Sequence, residues 1–168
     1  HAGVGQIVEK KIKLPDNPVF FAVVRNPFAR QFSHYIYHLN MHRDIVKTNK
    51  LKNINDPTPI KTLERLEKGF EHWFLSDDEF VRPKPRWWDY RWTNQWEWIN
   101  DDTHVMKYER LEKDIQWLYA RTGCDKPLTF ENVSKSGILD YRDFYSEKLR
   151  KIVEKRHRVD LEKFGYDF

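Results

Sequence analysis

The segment Val19-Phe20-Phe21-Ala22-Val23-Val24-Arg25-Asn26-Pro27-Phe28-Ala29-Arg30-Gln31-Phe32-Ser33-His34-Tyr35 decides how this chain folds. It opens on an apolar run without alternation, the pattern of a strand buried on both faces in a parallel sheet covered by helices. The run stops at Arg25. Asn26 is a helix-capping residue, Pro27 suits the first helical position, and a residue before proline stays extended. Phe28, Phe32, Tyr35, Ile36 and Leu39 then recur on one face of a helix that the spacing predicts to about Met41. Ser33 lies off that stripe, and Arg25 stands at the carboxyl end of the strand. Ligands of open α/β sheets bind at that end, where helix N-termini favour anions.

The rest of the chain extends this unit. Gln6 to Lys13 predicts a short helix, and Leu14-Pro15-Asp16-Asn17-Pro18 a turn into the strand. Arg43 to Pro59 is polar, with Lys, Asn and two prolines, and predicts a long surface loop. Leu63, Leu66, Phe70, Trp73 and Phe74 follow helical spacing to a close near Asp77, and Phe80 to Trp92 is proline-punctuated and irregular. His104 to Tyr108 predicts a second strand, with Val19–Val24 and Val105–Tyr108 as parallel neighbours. Leu111, Ile115, Leu118 and Tyr119 predict a helix ended by Gly123, and Asp125 to Asp140 a loop. Tyr145, Leu149, Ile152 and Val159 predict one last long helix before Phe164-Gly165-Tyr166. The order is that of an α/β layer architecture, although two strands alone do not make a stable sheet.

At 168 residues the chain fits one domain with a sizeable core. Charged residues make up 33% and the hydrophobic set 39%. No apolar run approaches the roughly 18 residues of a membrane helix. A single cysteine, Cys124, excludes an internal disulfide and a cysteine-based metal cluster, and reads as a small apolar residue near a helix end. Thirty basic against 26 acidic residues give a net charge of +4, spread along the chain. That excess suits an anionic nucleotide or substrate without demanding nucleic acid. There is no recognisable signal peptide or transit segment, and the chain begins at His1, as a processed product or a piece of a longer protein would.

Arg25-Asn26-Pro27-Phe28, with Arg30, Ser33 and Tyr35, resembles the 3′-phosphate-binding motif of sulfotransferases that use 3′-phosphoadenosine 5′-phosphosulfate (PAPS), closest to the carbohydrate and heparan-type branch. His104-Val105-Met106-Lys107-Tyr108-Glu109-Arg110-Leu111 is similar to that family's strand ending in Tyr-Glu-x-Leu. Asp160-Leu161-Glu162-Lys163-Phe164-Gly165-Tyr166-Asp167-Phe168 is similar to its last helix and tail. Three motifs in the right order are more specific than any one. The resemblance implies a three-layer P-loop-like sulfotransferase fold, α/β, with a small parallel sheet flanked by helices and incomplete at the N-terminus. Residues 1–168 would be one sulfotransferase-like domain, the C-terminal portion of a longer one.

By the same resemblance Arg25 and Ser33 hold the 3′-phosphate of the nucleotide. A guanidinium offers a planar fork to phosphate, and each charge-assisted contact of this kind is worth roughly 1.5–3 kcal/mol. The alternative for Arg25 is a pair with a core-edge carboxylate, and Arg30 reads as a structural ion pair. His1 would be the base that removes the acceptor hydroxyl proton, since imidazole titrates near neutral pH. Its other reading is a disordered terminal residue or tag remnant. Lys135 and Ser136 sit where the family often has a loop closing over the nucleotide. The family's phosphosulfate loop precedes the segment where this sequence starts, and Gly3 and Gly5 do not replace it, lacking a lysine and a Ser or Thr after them. As written, the chain is therefore expected to hold nucleotide and transfer little or no sulfuryl group.

Trp87, Trp88, Tyr90, Trp92, Trp96 and Trp98 read mainly as packing, with one or two at an acceptor cleft beside Arg82, Lys84, Arg86 and Arg91. His34, His38 and His42 share a helix face and, with His72, read as surface histidines rather than metal ligands. The leading function is sulfuryl transfer from PAPS, as co-substrate and without a metal, to a hydroxyl of a carbohydrate or related acceptor. The alternative is a non-catalytic nucleotide- or glycan-binding module on the same fold. A nucleic-acid binder is disfavoured by the mixed-sign charge. Acceptor, sulfated position, oligomeric state and compartment stay open: cytoplasm for a microbial or viral source, Golgi lumen for a eukaryotic one. Specificity would lie in 43–59 and 80–92, because loops carry it.

Overall fold

A computed structural model describes residues 16–48, 58–75, 93–124, 126–129 and 139–168. Among these, two short strands form a parallel sheet: β1, Phe21–Val24, and β2, His104–Lys107. Phe21 lies opposite His104 and Val24 opposite Lys107, and the His104 N–H donates to the Phe20 carbonyl at 2.9 Å. The expected parallel neighbours are therefore present. The expected burial of β1 on both faces is not. Val24 is buried, but Phe21 and Val23 are 48% and 43% exposed, because the described residues cover only one face of this strand.

Helix α1, Pro27–Lys47, begins as the sequence dictates. The Asn26 side chain accepts from the Phe28 N–H at 2.9 Å, and Pro27 occupies the first turn, where no N–H is needed. The helix runs past Met41 to Lys47, so Arg43–Lys47 is not loop. Ile45 and Val46 are half-buried there, and the Thr48 hydroxyl and N–H both close on the Asp44 carbonyl. The next helical stretch is two helices, α2, Thr58–Glu67, and α3, Phe70–Leu75. Gly69 separates them at φ +104°, a left-handed backbone that side chains resist. Phe28, Phe32, Tyr35, Ile36 and Leu39 of α1 meet Leu66 of α2 and Phe70 and Phe74 of α3 in one core. Burying each large side chain stabilises by about 1.5–3 kcal/mol.

Helix α4, Leu111–Thr122, ends at Gly123 with φ +69°, where the sequence placed its end. It packs on β2, with Trp117 stacked on His104 at 3.6 Å between ring centres. Cys124 follows the helix end but is exposed rather than packed. The expected long last helix is α5, Glu147–Arg156, and α6, Arg158–Phe164. Ser146 caps α5 by accepting from the Leu149 N–H, and Leu149 and Val153 complete the core. The break falls at His157, whose fully buried ring lies 3.0 Å from Gln31 Nε2 and 3.3 Å from Asn94 Oδ1. These two distant partners hold the residue out of helical geometry, at φ −107° and ψ 22°.

Candidate functional site

Arg25 follows the last paired residue of β1, so β2 no longer holds its backbone. A side chain does instead. The Arg25 N–H donates to Gln95 Oε1 at 2.9 Å, and Gln95 Nε2 donates to the Arg25 carbonyl at 2.9 Å. Gln95 thus pairs with Arg25 as a neighbouring strand would. It opens a short 3₁₀ turn, Gln95–Trp98, and that turn is seated on the carboxylate of Asp160 in α6. Asp160 Oδ2 accepts from the Gln95 N–H at 2.8 Å and from Gln95 Nε2 at 3.3 Å, while Oδ1 accepts from the Trp96 N–H at 3.0 Å. Asp160 is fully buried.

Asn26 is fixed from two further elements. Its N–H donates to Glu109 Oε1 at 2.7 Å, and its Nδ2 donates to the Asp167 carbonyl at 2.7 Å. The other Glu109 oxygen accepts from the Tyr166 hydroxyl at 2.8 Å. That hydroxyl also lies 3.3 Å from the Val24 carbonyl. Burial first, and then the Glu109 carboxylate, push the Tyr166 hydroxyl well above the ordinary phenol value. The ends of β1 and β2 and the chain after α6 therefore converge on Arg25–Asn26.

The Arg25 side chain is half-buried, with its guanidinium carbon 4.5 Å from the centre of the Tyr108 ring. Among the described residues no carboxylate pairs with it and no hydrogen bond takes its N–H edges. A guanidinium lying on a ring face keeps its N–H groups directed outward for a bidentate anion. Ser33, on α1, is half-exposed on the side away from the buried stripe, and among the described residues its hydroxyl has no hydrogen-bond partner. Arg30 donates from Nη2 to the Thr93 carbonyl at 2.8 Å, which ties α1 to the segment leading into the Gln95 turn. A cation and a hydroxyl without partners among the described residues, beside the start of a long helix, make a phosphate-compatible surface.

The remaining sequence candidates distribute differently. His1, Lys135 and Ser136 lie outside the described residues, as do Trp87, Trp88, Tyr90 and Trp92. Trp96 is exposed, with Lys163 Nζ 5.5 Å from its ring centre, and Trp98 is half-buried. His34 and His38 are not simple surface histidines: both are half-buried, with Nε2 atoms 2.8 Å apart. Among the described residues no group of three or more His, Cys, Asp or Glu is placed to hold a metal ion, and no helix is long and apolar enough to cross a membrane. Sequence reasoning assigned no role to Gln95, Tyr108, Glu109, Asp160 or Tyr166. The last four lie inside the quoted motifs, and Asp160 is flanked by Val159 and Leu161, an acidic residue on a buried edge.

A family model described as the sulfotransferase family matches residues 8–167. The match takes in every residue of the site just described, and the small parallel sheet among helices is consistent with that family's fold. No curated protein and no solved structure matches the chain.

Proposed function

This chain belongs to the sulfotransferase family, and we propose that it transfers a sulfuryl group from PAPS to a hydroxyl of a carbohydrate or related acceptor. The observation that carries the donor assignment is the Arg25 guanidinium, held against Tyr108 with no carboxylate among the described residues. PAPS supplies the sulfuryl group and leaves as adenosine 3′,5′-bisphosphate. Arg25 forks the 3′-phosphate, and the Ser33 hydroxyl adds a further donor from α1. Contacts of this charge-assisted kind are worth roughly 1.5–3 kcal/mol each. The adjacent N-terminus of α1 favours the same negative charge.

The roles of the undescribed candidates follow from the family resemblance. Lys135 and Ser136 close over the nucleotide, and His1 takes the proton from the acceptor hydroxyl as it attacks sulfur. Sulfuryl transfer resembles phosphoryl transfer in depending on positioning and charge stabilisation more than on covalent help. The pinned Arg25–Asn26 backbone fits that demand. An anionic sugar acceptor suits the net charge of +4 and the many aromatic residues, 15% of the chain.

Two measurements test this reading. Calorimetry with adenosine 3′,5′-bisphosphate and adenosine 5′-monophosphate is expected to show clearly tighter binding of the first, and equal affinities would sink the 3′-phosphate assignment. Incubation of the full-length protein with sulfur-labelled PAPS and a panel of glycans is expected to label one acceptor class. Nucleotide binding by that full-length protein without transfer to any acceptor would instead favour a non-catalytic binding module.

A further inference from the structure

We propose that Gln95 and Asp160 are positioning residues that hold Arg25 in the orientation its 3′-phosphate contact requires. The proposal rests on the reading of Arg25 given above and extends it to two side chains that touch no nucleotide. Arg25 lies one residue beyond the ladder that ends at the Val24–Lys107 pair. Left there, its backbone would be free to turn, and the guanidinium at the end of a long side chain would sweep a wide volume. The Gln95 amide supplies both ladder bonds that β2 does not.

Those bonds require the amide to face one way only. Asp160 settles which way. A carboxylate only accepts, so the Gln95 nitrogen must face Asp160 and the Arg25 carbonyl, leaving Oε1 for the Arg25 N–H. The same carboxylate takes the N–H groups of Gln95 and Trp96, which anchors the turn from which Gln95 projects. Burying a carboxylate is costly unless its hydrogen bonds are satisfied. Here the buried Asp160 has three N–H donors and, among the described residues, no cationic partner. Thr93 is tied to Arg30 and Asn94 to His157, so the platform is fixed to α1 and to the α5–α6 junction as well. The main chain of Arg25 is thereby held by Gln95 and its side chain by Tyr108. Such preorganisation reduces the ordering cost that binding must otherwise meet.

The test compares binding of adenosine 3′,5′-bisphosphate and adenosine 5′-monophosphate to Gln95→Met, which keeps the side-chain volume and removes the amide. The expected result is a fall of about 5- to 20-fold in the preference for the 3′-phosphorylated nucleotide, with the monophosphate affinity unchanged. Asp160→Asn, which sets an amide nitrogen against the N–H donors, is expected to act in the same direction. In an Arg25→Ala background Gln95→Met is expected to have no further effect on the preference, a dependence that loss of general stability would not produce. Should Gln95→Met not fold, Gln95→Asn carries the same comparison, since it keeps a neutral amide on a side chain too short to make both bonds to the Arg25 backbone. A wild-type preference that survives in the Gln95 variants while Arg25→Ala abolishes it would overturn the proposal and leave the nucleotide reading intact. A wild-type protein with no preference would overturn both.

Discussion

The Asn26 N–H donates to Glu109 Oε1 at 2.7 Å, joining the second residue after β1 to the second residue after β2 across 83 positions of sequence. With its second oxygen on the Tyr166 hydroxyl, Glu109 bridges the start of α1 and the chain's last turn. Glu109→Ala leaves the Asn26 N–H without an acceptor, and is expected to cost about 1–3 kcal/mol. Glu109→Gln keeps one acceptor and should cost less. Urea unfolding of the three proteins gives the order, and an alanine variant as stable as wild type would show that the bridge contributes nothing.

Arg25→Ala is expected to weaken adenosine 3′,5′-bisphosphate binding about 10- to 100-fold, the loss of one charge-assisted bidentate contact. Arg25→Lys should recover only part of this, because an ammonium cannot present the same planar fork and lies less well on Tyr108. Ser33→Ala should cost about 10- to 100-fold, the scale of a single hydrogen bond to a charged group. Adenosine 5′-monophosphate should bind all four proteins alike. Calorimetry decides it, and an Arg25→Ala protein that binds the bisphosphate as tightly as wild type would remove this residue from the site.

Much of this was legible in the sequence where the physics is local. Asn26 before Pro27 announces a capped helix because the cap, the fixed proline angle and the extended pre-proline residue are properties of neighbours. The five-residue stripe from Phe28 to Leu39 is buried as its spacing dictates. The extent of α1 was hidden because Arg43 to Lys47 is polar on its outer side, while Ile45 and Val46 are only half-buried. Helical spacing continues through His157, so the break there was invisible. Its cause lies in Gln31, 126 residues away, and Asn94, 63 residues away. The same holds for the site. Arg25 and Ser33 stand in one motif, whereas Gln95 is 70 positions from Arg25 and 65 from Asp160. Only the fold brings those three together.

Phe28 couples the core to the site. It is fully buried at the first turn of α1, edge-on to Phe168 at 4.9 Å and to Tyr145 at 5.5 Å, and its carbonyl accepts from the Tyr145 hydroxyl at 2.9 Å. Phe28→Ala is expected to cost about 3–5 kcal/mol, the range for emptying a buried phenylalanine site. For a chain of this length that corresponds to a fall in Tm on the order of 10 °C. Nucleotide binding should weaken with it, since the emptied site lies beside the Asn26 cap. A loss below about 1 kcal/mol would mean that the surrounding rings collapse to fill the space.

Alkaline pH should unfold the protein through its half-buried phenols. Burial pushes the Tyr145 hydroxyl far up, and burial with the Glu109 bond does the same for Tyr166. A folded-state value raised above the unfolded one gives stability that is complete below about pH 10 and is lost as pH rises beyond it. Absorbance of phenolate during an alkaline titration should therefore show these two tyrosines ionising together with loss of circular dichroism. Smooth ionisation near pH 10 in a still-folded protein would contradict it. Tyr145→Phe and Tyr166→Phe should each remove part of the late step.

Acid should act through Asp114. Its Oδ2 accepts from the Lys107 N–H at 2.8 Å and from Arg110 Nε at 3.0 Å, fixing the chain where β2 turns into α4. The backbone bond is the larger cause, and with the Arg110 contact it holds the carboxyl below the ordinary aspartate value despite partial desolvation. A lowered folded-state value gives stability that is present above the unfolded value of about 3.9 and fades as pH falls through the folded one. Asp114→Asn, which mimics the protonated side chain, is therefore expected to melt below wild type at pH 7, with the gap closing as pH drops below about 4. Salt should narrow the gap only slightly, because a main-chain N–H bond outweighs the exposed Arg110 guanidinium. Melting curves from pH 7 down to pH 2, at low and high salt, check both statements. A gap that stays constant with pH would assign the effect to packing. A gap abolished by salt at pH 7 would assign it to the Arg110 pair instead of the Lys107 backbone.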